Sequence, residues 1–99
     1  MSTEVYRKRP VEVSMVLWTG DNTEELMLFT GRKFRRRAVP VQPSDNPDPT
    51  ITAEVFDTLH STWVGVKTGQ RVVQGVAGEY YPIDEAVVRE TYEHVRTEG

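Results

Sequence analysis

Thr62-Trp63-Val64-Gly65-Val66-Lys67-Thr68-Gly69-Gln70-Arg71-Val72-Val73-Gln74-Gly75-Val76-Ala77-Gly78-Glu79-Tyr80-Tyr81-Pro82-Ile83 decides the fold class. Short runs of β-branched and aromatic residues, Thr62–Val66, Arg71–Val76 and Glu79–Ile83, alternate with the turn segments Lys67-Thr68-Gly69-Gln70 and Ala77-Gly78. Such spacing leaves room for strands and tight connections but not for helices, so the strands follow one another antiparallel. Because successive strand side chains point to opposite faces, Val64 and Val66 share a face, as do Val72, Gln74 and Val76, with Val73 and Gly75 opposite. Gly75 and Gly78 are placed for a bulge and a positive-φ turn. One strand earlier, Thr52–Thr58 meets this meander through the tip Leu59-His60-Ser61.

Toward the N-terminus, Val11–Trp18 also alternates, with Val11, Val13, Met15 and Leu17 on one face and Glu12, Ser14, Val16 and Trp18 on the other. The bulky pair Val16 and Trp18 predicts that the far end of this strand is covered on both sides. Thr19-Gly20-Asp21-Asn22 supplies turn and cap residues, and Asn22 with Glu25, or Asp21 with Glu24, matches a capping box. Leu26 and Phe29 form the buried stripe of a helix of about two turns that Gly31 ends in a left-handed conformation. Arg32-Lys33-Phe34-Arg35-Arg36-Arg37-Ala38-Val39 reads as an edge strand whose charge discourages pairing with other chains. Residues 40–50, with four prolines and no apolar period, read as an exposed loop. Near the end, Asp84 can cap a short helix in which Val87 and Val88 pack beside Thr91 and Tyr92. The expected fold is α+β: a mostly antiparallel, curled or barrel-like sheet of about five strands, one helix after the first strand and a short C-terminal helix. Residues 1–99 are expected to form a single domain, because neither side of the proline-rich loop has residues enough for a core of its own.

Composition narrows the function classes. A chain of 99 residues with 37% hydrophobic and 27% charged residues can bury one core. The lack of cysteine excludes disulfides, thiol catalysis and thiolate metal sites and favours an intracellular setting. The basic start Tyr6-Arg7-Lys8-Arg9-Pro10 is followed by no apolar run, and nothing approaches the roughly 18 apolar residues of a membrane span, so neither export nor a membrane partner is expected. The net charge of −3 hides a division: residues 1–37 carry +3 and residues 38–99 carry −6. That asymmetry can steer an anionic partner to one side of the molecule.

No catalytic constellation emerges. The two histidines are His60 and His94; Asp57 and His60 can meet across a hairpin tip, but no third ligand is evident. Ser61 lacks the Gly-x-Ser-x-Gly context of a nucleophile elbow, and adjacent strand residues point apart. Gly65-Val66-Lys67-Thr68-Gly69 lacks the glycine spacing of a phosphate loop. The carboxylates are dispersed, so the chain is expected not to be an enzyme and to need no metal or cofactor. Two segments remain as candidate binding sites. In the first, Arg32, Lys33, Arg35, Arg36 and Arg37 surround Phe34, with Lys33, Arg35 and Arg37 on one face, Arg36 on the other and Phe34 available for stacking or for the core. The second is Tyr80 and Tyr81: if one is buried, the other is exposed or covered by another element. Trp18 and Trp63 are assigned to the core.

Several stretches together resemble a family of small phage- and prophage-encoded proteins of mostly unassigned function: Tyr6-Arg7-Lys8-Arg9-Pro10-Val11, Trp18-Thr19-Gly20-Asp21-Asn22, Gly75-Val76-Ala77-Gly78-Glu79-Tyr80-Tyr81-Pro82 and Thr91-Tyr92-Glu93. The family's pattern has an aspartate after the meander glycine and Cys-Lys-Pro after Tyr-Pro, where this chain has Gln70 and Ile83-Asp84-Glu85. The resemblance implies a strand–helix–meander–helix domain, phage origin and an accessory role in the host cytoplasm. The expected function is therefore non-catalytic binding of a host or phage macromolecule, a protein first of all, by a chain that can form a homodimer through sheet edges or exposed aromatics. The alternatives are nucleic-acid binding through residues 32–37, a minor virion component, and a small-ligand-binding protein.

Overall fold

The computed structural model describes residues 2–7, 10–37 and 50–98. In chain order the elements are β1 (Ser14–Leu17), α1 (Thr23–Thr30), β2 (Phe34–Arg36), β3 (Ile51–Asp57), β4 (Thr62–Lys67), β5 (Arg71–Gln74), β6 (Tyr80–Ile83) and α2 (Glu85–Thr91). The α+β class, the antiparallel pairing and the two helices agree with the sequence-based expectation. The single curled sheet of about five strands does not: six strands form two open three-stranded sheets, ordered β1-β5-β6 and β2-β3-β4. The division falls between β4 and β5, where the turn at Lys67–Gln70 hands the chain from one sheet to the other instead of closing a hairpin. Gln70 steadies this turn, accepting a hydrogen bond from the Lys67 backbone N–H at 2.8 Å and donating through Nε2 to Asp84 Oδ1 at 2.9 Å.

The sheets lie with their apolar faces together. Cross-strand partners share a face, so the register Phe34↔Val55↔Val64 and Ala53↔Val66 builds one inner surface and Val16↔Val72 with Gln74↔Tyr80 builds the other. Trp18, Leu26, Phe34, Ala53, Val55, Val66, Val72 and Tyr80 form the buried cluster, with Val16, Phe29 and Val64 packed against it. Trp18 meets Phe34 edge to face at 5.0 Å, and Phe29 of α1 meets Tyr80 in the same way at 5.9 Å. The second face of β5 is also covered: Val73 is fully buried yet lies outside this cluster, on the side where Arg71 holds Glu85 of α2 at 2.6 Å.

Helix boundaries follow the sequence more closely than helix caps do. Gly31 takes φ 64° and ends α1, and the following Arg32 N–H donates to the Met27 carbonyl at 2.8 Å, with Arg32 itself at φ 70°. Asn22 is the N-cap, but its side chain makes no capping bond. Its Oδ1 instead accepts from Thr19 N–H, and its Nδ2 donates to Leu17 O and Glu25 Oε1. The capping box is thus replaced by a brace across the β1–α1 turn. In α2, Val88 and Tyr92 are half-buried, whereas Val87 and Thr91, expected beside them, are exposed. The proline-rich stretch at 40–49 lies outside the described residues, as do Lys8 and Arg9.

Candidate functional site

Alternation along β2, β3 and β4 that buries Phe34, Val55 and Val66 sends the intervening side chains to the opposite face. There Arg35 stands beside Glu54, Glu54 beside Gly65, and Phe56 beside Trp63. Arg35 donates from Nε to Glu54 Oε1 at 3.0 Å, and its guanidinium carbon sits 3.9 Å from the centroid of the Trp63 ring. The Ile51 side chain lies over Gly65, where a Cβ would fall 2.7 Å from Ile51 Cδ1, so the strand row next to Trp63 is filled from β3 itself. Phe56 meets the other side of the cluster edge to face with Trp63 at 5.4 Å. Arg37 lies 3.8 Å from the second oxygen of Glu54. The side chain of Arg35 is 52% exposed, and its Nη edge makes no hydrogen bond among the described residues. The result is a planar cation fixed against an indole and held in register by a carboxylate. A cation–π contact at such an exposed site contributes about 0.5–1 kcal/mol.

The five basic candidates are therefore not one surface. Arg35 and Arg37 share the outer face and share Glu54; Arg36 is exposed on the opposite side of β2; Lys33 is half-buried; Arg32 lies at the end of α1 beside Leu28, which is almost fully exposed. Phe34, the residue available for stacking, is in the core. Trp63, assigned to the core from sequence, stands on the outer face half-buried, and with Phe56 and Glu54 it completes a constellation that the sequence reading did not assemble. The signal was present: once Val64 and Val66 point inward, Trp63 must point out.

The tyrosines separate as their adjacency requires. Tyr80 is buried, its ring against Phe29 and its hydroxyl donating to the Phe29 carbonyl at 3.2 Å. Tyr81 faces the other side of the β1–β5–β6 sheet, where it lines a groove with Tyr92; burial first, and the neighbouring Tyr92 hydroxyl second, hold its phenol above the usual tyrosine range. The groove, of about 330 Å³, is lined by Val11, Val13, Gly75, Val76, Glu79, Tyr81 and Tyr92.

At the β3–β4 tip, Asp57 Oδ2 lies 2.7 Å from His60 Nδ1, as the spacing suggests. His94 is elsewhere, 3.0 Å from Thr97 Oγ1. Among the described residues no three His, Asp or Glu side chains converge to hold a metal ion. No helix among them is long and apolar enough to cross a membrane. No family model, curated protein or solved structure matches the chain.

Proposed function

We propose that this protein is a non-catalytic binding protein that docks a partner protein on the outer face of β2–β3–β4, acting as a phage or prophage accessory factor in the host cytoplasm. The observation that carries the reading is the stacked Arg35–Trp63 pair beside Phe56. Tryptophan and arginine are enriched among the side chains that dominate protein interfaces, and the stack on Trp63 holds the flexible Arg35 side chain in place before a partner arrives. The unused Nη edge of Arg35 suits a carboxylate on the partner, which it can grip with two parallel hydrogen bonds. A protein is favoured over a nucleic acid because Glu54 already offsets Arg35 and Arg37, the other cations diverge, and the chain as a whole is acidic.

Affinity capture from infected cells with tagged protein, analysing both protein and nucleic acid, tests this. The wild type is expected to retain a defined protein that Arg35→Ala and Trp63→Ala each lose by tenfold or more, on the order expected for a hot spot. Circular dichroism confirms that each variant is folded. A protein retained equally by both variants, or a complex that nuclease or moderate salt dissolves, overturns the assignment.

A further inference from the structure

We propose that the groove beside Tyr81 is a receptor for a cationic side chain, lysine or arginine, presented by a protein partner. It lies on the outer face of the β1–β5–β6 sheet, on the other side of the core from Trp63. Extending the register one step beyond Ser14↔Gln74↔Tyr80 places Val13, Gly75 and Glu79 in one cross-strand row, and Gly75 N–H donates to the Glu79 carbonyl at 2.7 Å. Gly75 carries no side chain, and the Glu79 carboxylate lies flat across it: a Cβ built there would fall 1.8 Å from Glu79 Oε1. Glu79 Oε2 accepts from the Ala77 backbone N–H at 3.0 Å. Among the described residues Oε1 receives no hydrogen bond and no cation reaches the carboxylate.

The walls are aliphatic and aromatic, from Val11, Val13, Val76, Tyr81 and Tyr92, so a half-buried carboxylate stands in an otherwise apolar groove. That combination selects its occupant. A purely apolar group would strip water from Glu79 without replacing it, and an anion would be repelled. A lysine or arginine satisfies both parts, since its methylenes cover apolar walls while its head meets the carboxylate and the tyrosine rings.

The test is a titration of the isotope-labelled full chain, followed by amide resonances, with the Nα-acetyl methylamides of lysine, arginine and norleucine. The two cationic probes are expected to shift Val13, Gly75, Val76 and Tyr81 saturably, with dissociation constants on the order of millimolar. Norleucine, which has the stem without the charge, should bind at least about fivefold more weakly. Glu79→Gln keeps an acceptor for Ala77 and should bring lysine and arginine down to the norleucine level, about a tenfold loss for a charge-assisted contact. Val76→Trp, at the exposed rim, should block all three probes without altering Glu79. Equal binding of norleucine, shifts centred on other residues, no saturable shift, or binding that survives both substitutions each overturns the proposal.

Discussion

Asp57 shows how a single side chain organises a turn. It accepts from the backbone N–H groups of Leu59 at 2.9 Å and His60 at 3.3 Å and pairs with the His60 ring, while Ser61 takes φ 51° to complete the reversal into β4. The bond to His60 is the main reason its carboxyl ionises below the usual aspartate value of 3.8. A carboxylate whose pKa is depressed by folding stabilises the fold above its unfolded pKa, and that contribution disappears as pH falls through the lower, folded value. Asp57→Asn, which keeps the turn's backbone acceptor, is therefore expected to melt below wild type at neutral pH, with the two converging as pH falls below 3.8; thermal melts against pH measure this, and a gap that persists in acid contradicts it. The Asp57–His60 contact was legible from its spacing because a hairpin tip is local. The Arg35–Trp63 stack was not, because it crosses β3 and depends on Glu54, on the strand between, to hold Arg35 in place.

The β1 exit, β3 and the β4–β5 turn are joined by a chain of hydroxyls. Trp18 is fully buried, and its Nε1 donates to Thr52 Oγ1 at 2.8 Å, itself 2.8 Å from Thr68 Oγ1. Thr52 is the extra residue of a bulge, since Ile51 pairs with Lys67 and Ala53 with Val66. An inserted residue bends the strand and re-aims a side chain, and here it turns a hydroxyl toward an indole N–H that would otherwise be orphaned. Thr52→Val preserves shape but removes the acceptor and is expected to cost about 1–3 kcal/mol, the penalty of a buried unsatisfied donor, in urea unfolding followed by fluorescence. A cost below about 0.5 kcal/mol would show that Trp18 needs no partner. Element type was readable here from periodicity and from Gly31. The bulge was not, because it answers a demand made by Trp18 from a distant strand.

The Cα radius of gyration is 15.7 Å, above the roughly 13 Å of a compact chain of this length. Residues 2–7 are exposed throughout, with Val5 and Tyr6 among the most exposed apolar side chains. Removing residues 2–7 is accordingly expected to change stability by less than about 0.5 kcal/mol, as for other surface changes that leave buried contacts intact. A larger loss in a denaturant titration would mean that this segment packs on the body or on a second copy. The two candidate surfaces occupy opposite outer faces of one sandwich, so substitutions at Trp63 and Glu79 should act independently on their respective ligands.

Period-two alternation by itself determined which side chains share a face: Val16 with Trp18, Val64 with Val66, Val72 with Gln74. A strand presents alternate residues to opposite faces whatever it pairs with. Turn glycines and the end of α1 were likewise local matters of backbone sterics. The partition of six strands into two sheets was settled only by three-dimensional packing, because register and strand order depend on contacts between residues far apart in the chain. So was the fate of each outer face, one carrying Arg35 on Trp63 and the other covered by α2 up to the groove at Glu79.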